Sequence, residues 1–131
     1  MAHLLDTSIA IHVRDGDERV LRRFQQHRGS VSLSALTVVE LERGVYKKIE
    51  LTASRLPRLE SILRLIPILP FDLDAARAYG RIIARCGWVK GRDYDRMLAA
   101  HAISAGLVLV TSNETDFDDI PGLAIENWAI A

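Results

Sequence analysis

Short apolar runs alternate along this chain with longer segments in which apolar residues recur every three or four positions. Short apolar runs bounded by turn or capping residues are typical of strands buried on both faces. The longer segments predict helices, and several follow a Ser, Thr or Asp that can cap a first turn. The predicted strands lie at 4–5, 31–33, 66–69, 107–110 and 124–125, and the predicted helices at about 8–13, 17–27, 35–49, 52–64, 72–86 and 94–105.

This order of elements predicts a fold of the α/β class. Strands that alternate with helices form a parallel sheet covered by helices on both faces, so we expect a three-layer α/β/α sandwich around a mainly parallel five-stranded sheet. No repeat, low-complexity tract or linker interrupts the pattern, and one domain over residues 1–131 is the expectation. Ligands of such sheets bind beyond the carboxyl ends of the strands, so candidate chemistry is sought there.

Composition narrows the class of protein. The chain has 131 residues, of which 49% are hydrophobic, which is enough for one domain to build a core. The single cysteine, Cys86, excludes an internal disulfide and favours a reducing cytoplasm. No signal-peptide pattern or membrane-length apolar stretch is present, so we expect a cytoplasmic protein without a membrane partner. Because 17 basic residues balance 17 acidic ones, any contact with nucleic acid has to be local.

Four acidic residues fall near the region where a site is sought. Asp6 comes directly after the first strand, Glu40 lies two turns into the helix after the second, Asp95 opens the helix before the fourth, and Asp116 follows the fourth. Carboxylates held together repel one another, and a divalent cation removes that repulsion. A cluster of oxygen ligands without nearby His or Cys favours Mg²⁺ or Mn²⁺ over zinc.

Each of these residues also has a purely structural explanation. Asp6 can cap the following helix, and Asp95 in a first turn gains about 0.3–1 kcal/mol from the helix dipole. Asp116 belongs to an acidic loop of the kind that is usually solvated. A helical wheel over 35–49 places Glu40 opposite the apolar stripe, which permits a cleft wall but does not require one.

Four motifs run in order along nearly the whole chain, from His3 to Trp128. They are "LLDTS", "SALTVVELERGV", "DRMLAAHAISAGLVLVTSNETDF" and "IPGLAIENW". Together they resemble the PIN-domain ribonucleases, and most closely the VapC-type toxins of bacterial toxin–antitoxin systems. Each motif alone is weak, whereas four in sequence with compatible spacing are specific.

The resemblance assigns the acidic residues to a shared site. The family's first Asp falls on Asp6, and the Glu of its S-x-x-T-x-x-E-L pattern falls on Glu40. Its D-x-x-(I/L)-A-A-H motif begins at Asp95, and its last motif, T-x-N followed by an acid, is met by Thr111, Asn113 and Asp116.

The chain departs from the family pattern at two places. Ser8 stands where Asn is frequent, which retains a polar group on a shorter side chain. Asp93 adds a second acid before the Ala-Ala-His run, and we expect it to be the N-cap of that helix. The last acid is variable in the family, so Asp118 and Asp119 remain alternatives to Asp116.

The resemblance implies an endoribonuclease that uses Mg²⁺ or Mn²⁺ and leaves 5′-phosphate and 3′-hydroxyl ends. Asp6, Glu40, Asp95 and Asp116 would be the catalytic residues, with Asp6 and Asp95 nearest the metal. Some of the four would act through water, because one such ion takes only one or two direct carboxylates.

Other polar residues have less specific roles. Thr7, Ser8, Thr111 and Asn113 are expected either to orient the carboxylates and contact phosphate or to act as local caps. His101 is expected to be structural, and Arg19, Arg22 and Arg23 an ordinary solvated face. The candidate RNA contacts are Lys90, Arg92 and Arg96.

The resemblance also implies partners. Proteins that resemble VapC-type toxins are expected to form homodimers and to be neutralised by a cognate VapB-type antitoxin. Their substrates are often structured RNAs, including tRNA, but no residue here identifies the RNA.

Two other classes of function remain open. A phosphohydrolase or phosphoacceptor domain would use Asp6 as nucleophile, and a noncatalytic PIN-like module would bind RNA or protein. The motifs of P-loop, dinucleotide-binding, esterase and zincin proteins are absent. His3, His12, His27 and His101 show no metal-ligand spacing.

Overall fold

The computed structural model describes residues 2–130, and its centre is a parallel sheet of five strands. The strands are β1 (His3–Leu5), β2 (Val31–Ser34), β3 (Ile68–Leu69), β4 (Val108–Val110) and β5 (Ile125–Glu126). Their order is β3-β2-β1-β4-β5, and every neighbouring pair is parallel. Since β1 is central, the residue that follows it emerges at the middle of the carboxyl edge.

Six helices and two short 3₁₀ turns connect the strands. The 3₁₀ turns are Ile49–Leu51 and Glu114–Phe117. The helices are α1 (Thr7–Asp15), α2 (Glu18–Gln26), α3 (Ala35–Tyr46), α4 (Thr52–Leu65), α5 (Leu73–Cys86) and α6 (Asp93–Ala105).

The core is divided in two by the sheet. Leu4 and Leu5 of β1 are both fully buried and point to opposite faces, as successive residues of a strand do. Leu5 packs with side chains of α1, α2, α3 and α4, whereas Leu4 packs with α5 and α6. The first strand is therefore apolar without alternation because it is covered on both sides.

The expected α/β/α sandwich is confirmed, and the sheet is parallel throughout. Two element boundaries were wrong. The helix expected at 35–49 ends at Tyr46, where Thr52 Oγ1 donates to the Val45 carbonyl at 2.8 Å, and Ile49 beyond it is 85% exposed. The strand expected at 66–69 shortens to Ile68–Leu69, because Pro67 has no N–H and only its carbonyl bonds to β2.

Two further expectations concern membrane-spanning segments and the number of domains. None of the helices within residues 2–130 is long and apolar enough to cross a membrane. The single-domain division stays a prediction.

A buried cation anchors the segment after β4. Arg96 of α6 is 1% exposed, and its guanidinium donates to the Asp119 carboxylate at 3.0 and 3.4 Å. This pair raises the pKa of Arg96 and lowers the pKa of Asp119. Its Nε has no hydrogen-bond partner among the described residues, so Asp119 supplies most of its compensation.

The Arg96–Asp119 pair predicts a stability difference between two neighbouring carboxylates. We expect Asp119→Ala to lower the free energy of unfolding by about 1–2 kcal/mol, because it leaves the buried guanidinium unpaired. Asp118→Ala, an exposed neighbour, should change it by less than about 0.5 kcal/mol. Urea unfolding of both variants measures the difference, and equal stabilities would contradict this account of Arg96.

Candidate active site at the carboxyl edge of the sheet

Asp6 serves two purposes in one position. It follows β1 directly and is the N-cap of α1, where its Oδ1 accepts from the Ile9 N–H at 2.9 Å. The same oxygen accepts from Ser8 Oγ at 2.7 Å. Burial raises the pKa of Asp6, although donors from Thr111, Ile9 and Ser8 oppose that rise. The alternative between cap and site residue is therefore not exclusive, since the cap itself fixes the carboxylate at this edge.

Glu40 faces the same edge from α3. Ser34 begins that helix by accepting the Leu36 N–H at 3.1 Å, so the second turn of α3 lies beside the end of β2. Glu40 Oε1 accepts from Thr7 Oγ1 at 2.5 Å, and Tyr94 Oη lies 3.2 Å from the same hydroxyl. The wheel placed Glu40 on a polar face, and that face forms the wall of a cleft.

Asp95 lies in the first turn of α6, and the pKa of its carboxyl is strongly raised. Desolvation raises its pKa to about 6, and the negative charges of Asp116, Asp6 and Glu40 add to the rise. Arg92 opposes this shift only weakly. Asp95 therefore lies among three other carboxylates, in a place that is half-buried and negative.

A cavity of about 140 Å³ opens between these side chains. Asp6, Glu40 and Asp95 line it together with Tyr94 and Asn113. Four separate segments of the chain meet there, at the edge where ligands of parallel sheets bind.

The environments of Asp116, Asp118 and Asp119 show which of the three acts as the fourth acid of the cleft. Asp116 lies in the 3₁₀ turn after β4, close enough for its charge to raise the pKa of Asp95, but it is not among the residues that line the cavity. Asp119 is paired with Arg96, and Asp118 is exposed. Among the three, Asp116 is the acid whose charge acts on the cleft.

Hydroxyl groups hold the carboxylates in place. Ser8 Oγ donates to Asp6 and accepts from Ser112 Oγ at 2.8 Å, so the departure at position 8 is built into a short chain of hydrogen bonds. Thr111 is buried, and its Oγ1 accepts the Asn113 N–H at 3.0 Å, which turns the chain after β4.

Two residues of this site were not singled out from the sequence. Tyr94 lines the cavity and contacts Thr7, and burial raises its pKa to about 12, so it remains a neutral O–H donor. Its position next to Asp95 in "DYDRM" was the available signal. Ser112 had none, because its role depends on the approach of Ser8 from the other end of the chain.

Two expectations about α6 were wrong. Asp93 is not the N-cap: the helix begins after Arg92 without a side-chain cap, and Asp93 accepts instead from the hydroxyl of Tyr79 on α5. Arg96 is not available to RNA, because it is buried and paired with Asp119. Both partners are distant in sequence, so local reading of the helix start did not reveal them.

The loop before α6 retains the other two basic candidates. Lys90 is exposed and the Arg92 side chain is 40% exposed, and both precede Asp95 by a few residues. Trp88 in the same loop is 61% exposed. This loop, Gly87–Arg92, therefore presents two cations and an aromatic ring next to the acidic cleft.

His101 lies away from the cleft chemistry. Its Nδ1 is 2.8 Å from Ser34 Oγ, and its ring is buried edge-on to Phe71. Burial lowers the pKa of His101, so it is neutral and helps to join α6 to the end of β2.

The donor set of the cleft suits a hard divalent cation. Its ionisable ligands are carboxylates, and neither imidazole nor thiol lines the cavity. Mg²⁺ and Mn²⁺ prefer oxygen, and one such ion would relieve the repulsion that raises the pKa of Asp95.

Comparison with known proteins agrees with this geometry. The family model for the PIN domain matches residues 3–123. The chain is 35% identical to the tRNA(fMet)-specific endonuclease VapC of Salmonella typhimurium, over 95% of this chain and 96% of the relative. It is 33% identical to ribonuclease VapC2 of Haemophilus influenzae, over 98% of both chains.

Solved structures show the same fold. DNA-bound VapBC from Salmonella typhimurium has a chain that superposes with a TM-score of 0.86 at 32% identity, covering 98% of this chain and 99% of its own. VapBC2 from Rickettsia felis, bound to a DNA fragment from its promoter, gives 0.86 at 25% identity, with the same shares covered.

The raised pKa of Asp95 predicts how stability depends on pH without metal. The folded-state pKa of about 6 exceeds the ordinary 3.8, so ionisation costs folding free energy, and the full cost is present above pH 6. We expect Asp95→Asn to raise the free energy of unfolding near pH 8 by about 1–2 kcal/mol, less than the whole shift implies because the side chain is partly solvated.

This gain should fall off below about pH 4, where Asp95 is protonated in both states. Urea unfolding in EDTA at the two pH values measures it. Asp74→Asn, at an exposed position in the first turn of α5, is the matched control and should show no such dependence. An equal gain in the free energy of unfolding at both pH values would contradict the raised pKa of Asp95.

Proposed function

This chain belongs to the PIN-domain family, and from that premise we propose that it is a VapC-type endoribonuclease toxin that uses a divalent metal ion. The observation that carries the proposal is the meeting of four carboxylates, in which burial and the charges of Asp6, Glu40 and Asp116 raise the pKa of Asp95 to about 6. A fold that merely needed caps and surface charges would have no reason to bring these acids together in a half-buried cleft.

We assign the metal to Asp6 and Asp95, with Glu40 and Asp116 acting through water or by orientation. Mg²⁺ or Mn²⁺ bound there would lower the pKa of a water molecule and stabilise charge on the leaving 3′-oxygen. Hydrolysis of this type gives 5′-phosphate and 3′-hydroxyl ends. Within residues 2–130, no three of these carboxylates bring oxygens within 4.8 Å of one another, which suits an ion that keeps several waters.

The chain's own hydroxyl groups set the geometry of the acids. Thr7 donates to Glu40 and is contacted by Tyr94, while Ser8 donates to Asp6 and is held by Ser112. These donors orient the carboxylates in a site where repulsion would otherwise separate them.

We propose structured RNA as the substrate, and tRNA as its first candidate. The Salmonella relative is named for cleavage of tRNA(fMet), and identity over nearly the whole chain supports a substrate of the same class. Lys90 and Arg92 would bind phosphates, and the exposed Trp88 ring between them and α5 offers a face on which an unpaired base can stack.

We further propose a VapB-type antitoxin as the partner and a homodimer as the state of the toxin. The support is the likeness to the toxin chains of VapBC complexes, which extends over 98% of this chain. Exposed apolar side chains of α3 and the following turn offer surfaces for such contacts, among them Val39, Tyr46 and Ile49.

The central prediction concerns cleavage by the antitoxin-free protein. With Mg²⁺ or Mn²⁺ we expect the chain to cleave tRNA, and with EDTA we expect no cleavage. Asp6→Asn and Asp95→Asn should each lower the rate at least about 100-fold, because each removes a metal ligand. Asp74→Asn should cleave like the parent chain. The measurement is RNA fragmentation on gels with sequencing of the cut ends.

The outcomes separate the classes of function. Cleavage in EDTA, or full activity of both folded variants, would overturn the proposal. RNA binding in Mg²⁺ without shortening would indicate a noncatalytic module. Mass added to Asp6 by a small phosphodonor, without RNA cleavage, would indicate a phosphoacceptor.

A second prediction concerns the hydroxyl that holds Glu40. Thr7→Val keeps the shape of the side chain and removes its donor, so we expect a fall in rate of about 10-fold and a higher Mg²⁺ concentration for half activity. Thr7→Ser keeps the donor and should restore both quantities. Rates measured across a Mg²⁺ series test this, and identical curves for Val and Ser would show that Thr7 does not position Glu40.

A further inference from the structure

A second group of potential metal ligands lies outside the acidic cleft. His3 of β1, His27 directly after α2, and Glu126 of β5 each offer one ligand atom, and these atoms all lie within 4.8 Å of one another. None of the three lines the cleft cavity. These histidines show no ligand spacing along the chain because their third partner is 99 residues beyond His27.

The distance between His3 and Glu126 fits shared coordination better than it fits a strong hydrogen bond. His3 Nε2 lies 3.3 Å from Glu126 Oε2, whereas a charge-assisted N–H···O bond is about 2.7–2.9 Å long. Two ligands on a tetrahedral zinc ion, with bonds of about 2.0–2.2 Å, are about 3.4 Å apart. His27 is the third member of the set, because its ligand atom lies within 4.8 Å of the other two and its side chain is only partly buried.

Neighbouring side chains orient the ligands. Trp128 Nε1 donates to Glu126 Oε1 at 3.0 Å, which leaves Oε2 directed at His3, and the Trp128 ring stacks on His27 at 5.3 Å with an interplanar angle of 13°. A carboxylate held by one oxygen with the other free is the usual arrangement at metal sites. Arg23 also donates to Glu126 Oε1, at 3.3 Å, and so does not contact the oxygen that faces His3. Its side chain is 42% exposed, so solvent screens its charge.

The buried His3 ring has few partners. Its Nδ1 has no hydrogen-bond partner within the part of the chain that the structure describes, and its Nε2 lies 3.3 Å from Glu126 Oε2. A buried imidazole with so little hydrogen bonding is costly to keep. Ligation through Nε2 would offset part of that cost, because a metal bond replaces the long hydrogen bond to Glu126.

We propose that His3, His27 and Glu126 form a site for a transition metal ion of the zinc class, with water in the fourth position. Two imidazoles and one carboxylate are a known ligand set for zinc. Such an ion would tie the end of α2 to β1 and β5, three segments that are far apart in sequence. The site is independent of the acidic cleft in ligands and in the metal that it prefers.

The test uses Co²⁺ as a spectroscopic probe on the tag-free full-length chain, with excess Mg²⁺ to occupy the cleft. We expect the visible absorption of tetrahedral Co²⁺ at one equivalent, and its loss when Zn²⁺ is added. His27→Gln should weaken Co²⁺ binding at least about 10-fold. His12→Gln is the matched control, since His12 is a partly exposed histidine paired with Asp17 outside the cluster.

Thermal unfolding supplies a second measurement. Zn²⁺ should raise the Tm of the parent chain and of His12→Gln but not that of His27→Gln or Glu126→Gln, because only a binding-competent folded state is stabilised. RNA cleavage with Mg²⁺ should be unchanged in His27→Gln. Absence of the tetrahedral absorption, or equal Co²⁺ affinity of the parent chain and both cluster variants, would overturn the proposal.

Discussion

Repulsion between carboxylates is the constraint around which this fold is arranged. Asp95 is desolvated among three acids, and its pKa of about 6 measures how strongly the site resists a further negative charge. The rigid end of a parallel sheet holds the acids together despite that cost. Asp6 is fixed there because it also caps α1, so the free energy of capping helps to keep a repelled carboxylate in place.

Hydroxyl groups make the repulsion tolerable without neutralising it. Glu40 is held by Thr7, and Asp6 is held by Ser8, which are adjacent residues at the start of one helix. The start of α1 therefore positions two acids that come from different parts of the chain, Asp6 after β1 and Glu40 in α3. Arg43 lies 3.9 Å from Glu40 Oε2, but its side chain is largely exposed, so solvent screens its charge. The neutral donors leave the negative potential of the site available.

The sequence predicted the features that depend on local pattern and missed those that depend on distant pairs. Strand and helix order followed from periodicity, and the meeting of Asp6 with the ends of other strands followed from parallel topology. The N-cap role of Asp93 and the exposure of Arg96 were wrong because Tyr79 and Asp119, 14 and 23 residues away, bind them. The grouping of His3 with Glu126 was likewise invisible, since it spans 123 residues.

Those distant pairs also determine which carboxylates act on the cleft. The segment from Asp93 to Asp119 has six acidic residues, which together would repel far more strongly than one ion could offset. Asp93 accepts from the Tyr79 hydroxyl and Glu114 from the Asn127 amide, bonds that fix these carboxylates but leave their charge, whereas Arg96 neutralises Asp119. Asp118 is exposed, and Asp95 and Asp116 remain to act on each other. Pairing outside the cleft thus determines which acids act inside it, and a substitution at Arg96 or Tyr79 would alter the site without touching it.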